Sequence, residues 1–519
     1  MDKSQSSFCI DSKHIKLFAL VILCIIFVLS FTRKINLINS DLGRHIKNGE
    51  LVFEDSNLLN SNYYSYTEPE YETINHHWGS GVIFYYLNKL VGFKGLSIIY
   101  TLLSTIILLL FIFSSKRKKK FILVFFLALL SIPLITSRAE IRPEGLSYLF
   151  LGIYYYILTK YNEGKLNYKF LYIFPFLQAF WVNLHLFFIL GLFVIGVFII
   201  DSLINSKDKL KQLVIVFFLS LLACLINPNG LRGILAPLNI FDNYGYMLAE
   251  NQSVFFMQKR FSSFFYIHFE LLIILTVILI LLLIIKKKFI KYLSEAILLI
   301  AFGILGIRMV RTFPLFGLFL ISCGSNILNE LSELLSNELQ SFLEKILVML
   351  SVIIIIIFVL IPNQYFSIFN YNSGIDLWEN NLSSSEFFKK NKLTGPIFNN
   401  YDIGGYLIYN LFPEEELFVD NRPEAYSVEF MENTYIKMQE NEERWKKIDN
   451  QYNFNAIFFY RLDMTPWAQE FLIKRVEDDD WAPVYVDDWT IIFVRRVESN
   501  NTIINQFEIP EYVFGKNKY

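Results

Sequence analysis

The chain has 519 residues, 54% hydrophobic and 17% aromatic, with 18% charged and a mean hydropathy of +0.41. Soluble domains carry roughly 25% charged residues, and the apolar residues here arrive in long blocks, so a soluble enzyme, a disordered chain and a fibrous repeat are excluded. Lys and Arg number 47 against 48 Asp and Glu, and a formal charge of -1 leaves no global basic field for nucleic acid. The polar start Met1–Lys16 gives way to apolar Leu17–Ser30 with no small-residue cleavage site after it, the pattern of an uncleaved first span. Crossing a bilayer takes roughly 20 apolar residues, fewer where neighbouring helices bury the ends. On that rule spans fall at 15–33, 95–115, 121–136, 146–160, 169–184, 186–205, 213–227, 269–285, 291–307, 312–329 and 346–362, about eleven in all. Cys9, Cys24, Cys224 and Cys323 lie in or beside these apolar segments without CxxC spacing, so they are packing residues.

The short loops set the orientation. With the N-terminus inside, alternate loops hold Lys116-Arg117-Lys118-Lys119-Lys120, then Lys160 and Lys165, then Lys207, Lys209 and Lys211, then Lys286-Lys287-Lys288. All fall on one side, which the positive-inside rule makes cytoplasmic. The opposite face opens with a long polar loop, residues 34–94, and continues through Ser137-Arg138-Ala139-Glu140-Ile141-Arg142-Pro143-Glu144, Trp181-Val182-Asn183-Leu184-His185 and Asn227-Pro228-Asn229-Gly230. Inner loops use mainly Lys and outer loops mainly Arg, and the planar guanidinium fork suits phosphate better than a hydrated ammonium does. One outer arginine is explained equally well as a helix cap or a side chain reaching for headgroups. Six on one face (Arg138, Arg142, Arg232, Arg260, Arg308, Arg311) weigh against that account. Residues 1–362 thus form a transmembrane domain. From about Asn363 the composition turns soluble, and 363–519 is expected to be an extracytoplasmic α/β domain. Its strand-like runs are Glu416–Val419, Ala456–Tyr460 and Thr490–Val494, with a helical stretch at Val428–Ile448.

Chemistry-bearing residues gather in the outer loops. Asp41 follows the first span at the membrane surface, where a carboxylate needs a partner or a task. It is either a general base or the N-cap of a short helix Leu42–Lys47. His76-His77-Trp78 places two imidazoles beside an indole, a poor metal site because adjacent histidines seldom chelate one ion. Glu68, Glu70 and Glu72 alternate as a solvated edge does. In the tail, Gly404-Gly405 and Asp420-Asn421-Arg422 either share one turn region or form two unrelated surface turns.

Asp41-x-x-x-His45-x-x-x-Gly49, Asn62-Tyr63-Tyr64-Ser65-Tyr66-Thr67 and His77-Trp78 before Gly92-x-x-Gly95 together resemble the first outer loop of bacterial GT-C-type membrane glycosyltransferases. The likeness is to the branch related to protein mannosyltransferases and lipopolysaccharide-core transferases. It continues in order through Arg142-Pro143-Glu144, Trp181-x-Asn183-x-His185, Asn227-Pro228-x-Gly230 and Arg308-x-x-Arg311-x-x-Pro314. In the tail it extends through Tyr401-x-x-Gly404-Gly405-Tyr406-Leu407 and Asp420-Asn421-Arg422-Pro423-Glu424-x-Tyr426. The resemblance implies a polytopic α-helical GT-C-like protein of the bacterial inner membrane, with its N-terminus cytoplasmic. It implies transfer of a sugar from a polyprenyl-phosphate-linked donor to a glycan, lipid or protein acceptor on the extracytoplasmic face. Asp41 matches the acidic catalytic position. Arg138, Arg142, Arg308 and Arg311 are then candidates for holding the donor phosphate, and His45, His77, Trp78, Glu144, Trp181, Asn183 and His185 for touching substrate. The metal-binding acidic pair of oligosaccharyltransferases is not evident, so no metal or other cofactor is assigned, although a divalent metal is not excluded. Two other classes stay open: a carrier of a lipid-linked or anionic solute, and a membrane scaffold whose tail binds a partner. A carrier needs polar or broken helices at the bilayer midplane and often two related halves, whereas the span centres here are apolar and no repeat is present.

Overall fold

The computed structural model describes residues 12–115, 120–241, 243–360 and 373–515. Cys9, the run Lys116–Lys119 and the expected domain boundary at Asn363 lie outside the described residues. The expected spans fall on helical segments, the last of them as far as Leu360, its residues 361–362 lying outside the described residues. Among the described residues seven helices are long and apolar enough to cross a membrane: Lys13–Phe31, Trp78–Ser114, Leu186–Asn205, Phe264–Ile285, Ile290–Arg308, Val310–Glu333 and Asn337–Ile357. The protein is an integral membrane protein.

The first stretch of chain runs from α1 (Ser12–Phe31) through the short amphipathic α2 (Leu42–Leu51) to α3 (Trp78–Ser114). Helix α3 is broken by Gly92, whose φ of 65° places it where side chains are disfavoured. Its first half packs on α2, and only its second half matches the expected span 95–115. There follow α4 (Phe121–Thr136), α5 (Glu144–Asn162), α6 (Phe174–Trp181), α7 (Ile189–Asn205) and α8 (Lys207–Ala223). After α9 (Gly230–Leu235) and α10 (Val254–Arg260) come α11 (Phe264–Ile285), α12 (Leu293–Arg308), α13 (Phe313–Phe319), α14 (Ser325–Glu333) and α15 (Asn337–Leu360).

Packing separates a central helix from a peripheral one. The apolar window of Val310–Glu333 is 94% buried and that of Asn337–Ile357 only 11%, so the former is the axis of the bundle and the latter faces lipid. Aromatic contacts seal the axis: Phe319 stacks on Phe302 with centroids 4.4 Å apart and meets Phe111 edge-on at 5.1 Å. Such pairs contribute about 0.5–1.5 kcal/mol each beyond their buried area.

The tail is α/β. Its sheet has the order β1-β2-β4-β3, with β1 (Ile397–Asn399) parallel to β2 (Ala456–Tyr460). Strands β3 (Trp481–Val486) and β4 (Thr490–Arg495) are antiparallel to each other, and β4 to β2. Two expected runs are therefore strands, and the third is corrected: within Glu416–Val419 only Leu417 makes bridges, one to Ser65 and one to Ile397. The first outer loop occupies the place a neighbouring strand would take. The expected helix Val428–Ile448 is interrupted at Asn441, whose side chain caps a new helix by accepting from Arg444 N.

Candidate functional site

Helix α2 is clamped between bundle and tail by glycines. A Cβ on Gly49 would lie 2.1 Å from the Gly81 carbonyl oxygen in α3, so these backbones touch with no room for a side chain. On the other side, a Cβ on Gly43 would lie 2.9 Å from the Gly405 carbonyl oxygen, and one on Gly405 would lie 2.9 Å from the Ser40 carbonyl oxygen. Gly405 lies in α16 (Gly404–Leu411), and a Cβ on Gly404 would in turn fall 2.4 Å from the Asp420 Cα. The two tail motifs are thus one region, and that region is pressed against the start of α2.

Asp41 sits at this junction. It holds the N-cap position of α2, yet its side chain makes no capping bond. Its Oδ1 accepts from Asn421 Nδ2 of the tail and lies 3.6 Å from Arg44 Nη2, while its Oδ2 accepts from Arg142 Nη1 at 3.3 Å. Arg44 Nε also donates to Asn421 Oδ1 at 2.9 Å, which holds the amide in place.

From Arg142 a charge network spreads across the bundle end. Glu250 accepts from Arg138 at 2.7 Å and from Arg142 at 3.2 Å, and stands 3.4 Å from Arg311. Glu144 accepts from Arg311 at 2.6 Å and from Arg138 at 3.1 Å. Glu140 lies 3.7 Å from both Arg142 and Arg33, and Arg33 donates to the Thr136 carbonyl at 2.7 Å. Burial alone would raise these carboxyls, but the guanidiniums outweigh it. Arg138, Arg311 and Arg142 hold Glu144 well below its ordinary value and bring Glu250 down to about 2. The site is therefore a lattice of permanent charges, stable because each buried charge has several partners.

Beside it lies an imidazole cluster. His77 is 5.3 Å from His45 and 5.1 Å from His185, centroid to centroid. Burial, then neighbouring arginines and histidines, pushes His45 and His77 well below the ordinary value; burial brings His185 down to about 3. Neutral imidazoles result. His185 Nδ1 accepts from Phe187 N at 3.2 Å, and Ser147 Oγ, 3.1 Å away, accepts from Trp181 Nε1 at 2.8 Å.

The sequence candidates divide accordingly. Asp41, Arg138, Arg142, Glu144 and Arg311 come together, as do His45, His77 and His185. Trp181 is corrected: it is 0% exposed, stacked on Phe150 and bonded to Ser147, so it packs the bundle and has no face for a substrate. Asn183 is a brace, its Oδ1 accepting from Trp78 Nε1 and its Nδ2 donating to the Ala179 and Ile226 carbonyls. That ties Trp78 into the same brace. Arg308 stands apart, exposed and without an ion pair among the described residues.

Sequence reasoning missed Glu250 and Arg33. Glu250 is one of two carboxylates between Asn227 and His268, a scarcity that could have flagged it. Arg33 closes the first span and reads as an ordinary flank. Asp402 was missed too: its carboxylate has no hydrogen bond or ion pair among the described residues, beside so many that do. Asp41, Glu140, Glu144 and Glu250 all face guanidiniums.

No protein-family model matches the chain, and no curated protein matches it. Solved structures do. The oligosaccharyltransferase of Archaeoglobus fulgidus, tethered to an acceptor peptide containing the NVT sequon, superposes with a TM-score of 0.59 at 11% identity, over 94% of this chain and 75% of that one. The archaeal oligosaccharyltransferase AglB from Archaeoglobus fulgidus, in complex with an inhibitory peptide and a dolichol-phosphate, gives 0.58 at 11%, over 91% and 73%. The chain shares the fold of these two structures.

Proposed function

We propose that this protein is a membrane glycosyltransferase that moves a sugar from a polyprenyl-phosphate-linked donor to an acceptor on the extracytoplasmic face of a bacterial plasma membrane. The observation that carries the proposal is the junction around Asp41, where a carboxylate is fixed by Arg142 and by Asn421 of the tail at the arginine-rich end of the bundle. A carboxylate held rigidly there stabilises the positive charge that grows on a sugar ring as its bond to phosphate breaks. Arg308, exposed and unpaired, offers the first fork to the donor phosphate, and Arg311, three residues on, ties that helix end to Glu144. Supporting the donor class is the shared fold, because the archaeal neighbour was solved with a dolichol-phosphate. The N-terminus is cytoplasmic and the tail outside, in keeping with the lysine-rich loops.

The test uses purified protein in lipid vesicles with short-chain polyprenyl phosphates carrying a panel of radiolabelled sugars, and cell-envelope glycan, lipid and protein fractions as acceptors. Label should pass to one acceptor fraction with release of polyprenyl phosphate. Movement of intact donor between leaflets without that release means a carrier, and overturns the proposal.

A further inference from the structure

We propose that Asp402, in the tail, takes the proton of the acceptor hydroxyl, while Asp41 serves as a fixed anion; the assignment rests on the transferase reading above. Both Asp41 oxygens are engaged, Oδ1 by Asn421 and Arg44 and Oδ2 by Arg142. With both oxygens already taken by donors from two sides, Asp41 is placed as a fixed anion and not as an open acceptor for an incoming hydroxyl.

Asp402 is the opposite case. It lies two residues before Gly404, where α16 begins, and Gly405 touches the Ser40 carbonyl beside Asp41. The half-buried Asp402 side chain is thereby brought to the Asp41 loop with no donor of its own among the described residues. The titratable groups that interact with it are acidic or phenolic: Asp41 from the first outer loop, Asp463 after β2, and the rings of Tyr246, Tyr401, Tyr435 and Tyr460. No cation pairs with it among the described residues. Burial, then Asp463 and Asp41, raise its pKa to about 7. A base whose conjugate acid titrates near the working pH is matched to removing a hydroxyl proton.

The step balances. An acceptor oxygen lone pair forms the bond to the anomeric carbon as that carbon's bond to the phosphate oxygen breaks. The electron pair leaves with the phosphate, and the hydroxyl proton passes to Asp402. Attack opposite the leaving group inverts the anomeric centre.

The experiment compares kcat/KM against pH for wild type, Asp402→Asn, Asp402→Glu and Asp41→Asn in the vesicle assay. Wild type should lose activity on the acid side with an apparent pKa near neutrality. Asp402→Asn should fall about 100- to 10,000-fold and lose that limb, and Asp402→Glu should recover part of both. Asp41→Asn should be slow but keep the limb. Infrared titration of protein with 13C-labelled aspartate reads the same carboxyl without turnover: a band titrating near neutral pH should vanish in Asp402→Asn. Its persistence there, or transfer by Asp402→Asn within threefold of wild type with the limb intact, overturns the base and leaves the transferase standing. A wild type that transfers to no acceptor overturns both.

Discussion

At the end of the bundle that meets the tail, the side chains of Arg138, Arg142 and Arg311 are 12%, 17% and 11% exposed, and each guanidinium reaches at least two carboxylates. At the opposite end, Lys288 and Lys291 are 37% and 53% exposed and converge on one buried carboxylate, Glu330, at 5%. Helix α12 joins the two ends, beginning just after Lys291 and finishing at Arg308. Among the described residues both ends pair charges, but only the arginine end builds a connected lattice. A planar fork with five donors bridges several anions while losing its water; an ammonium is a point charge that keeps its hydration and stays at the rim. The arginine end can therefore hold fixed charges at a reaction centre, and the lysine end only anchors a helix.

Removing one node from each end should break this comparison most sharply. Glu144→Gln deletes the carboxylate shared by Arg138 and Arg311 and leaves buried guanidiniums underpaired, so unfolding in detergent should become easier by about 3–5 kcal/mol. A loss under about 1 kcal/mol would mean that the lattice is hydrated. Next in size, Asp41→Asn keeps the shape and the bond partner of Asn421 but deletes the charge. Transfer should fall about 100- to 1,000-fold, the effect of one preorganised group at a developing charge, with insertion and melting near wild type. Unchanged transfer would reduce Asp41 to a structural link.

Acid should separate the ends more gently. His185 is 1% exposed and titrates at about 3 when folded, against 6.5 ordinarily. Below pH 6.5 the unfolded chain takes up this proton and the folded chain does not, so stability is full above 6.5 and declines as pH falls. The slope approaches about 1.4 kcal/mol per pH unit per histidine. Melting recorded from pH 7 to 5 should show it, and His185→Gln should remove the share due to this residue. Smallest of all, Lys291→Ala at the lysine end should change stability by less than about 1 kcal/mol, as exposed pairs do; a larger loss would place that end alongside the other.

Much of this was readable beforehand, and what was not has a common cause. Apolar runs gave the spans, loop charge gave the Lys and Arg ends, and period-two patterning gave β2 and β4, since each of these signals is local. The lattice is not local: Glu250 lies 112 residues from Arg138, and Asn421 lies 380 from Asp41. No spacing rule encodes such pairs. Trp181 entered as a substrate candidate through the resemblance alone, and only packing against Phe150 and Tyr154 shows it buried. Glu416–Val419 has strand-like composition, but its Leu417 bridges to Ser65, a partner supplied by a loop 352 residues away.

The contact of Gly49 with Gly81 gives the Asp41-x-x-x-His45-x-x-x-Gly49 spacing a geometric meaning. Steps of four keep one stripe of α2 in phase, so the glycine that touches α3, the imidazole that meets His77 and the carboxylate at the tail share a rotational setting. Inserting or deleting one residue within α2 would turn everything beyond it by about 100° and drive a side chain into the Gly81 carbonyl. The same change in the exposed turn Pro69–Glu72 would only lengthen or shorten a loop. Length variation in this part of the chain should therefore be confined to the loop, with α2 itself fixed in length like the tooth of a key.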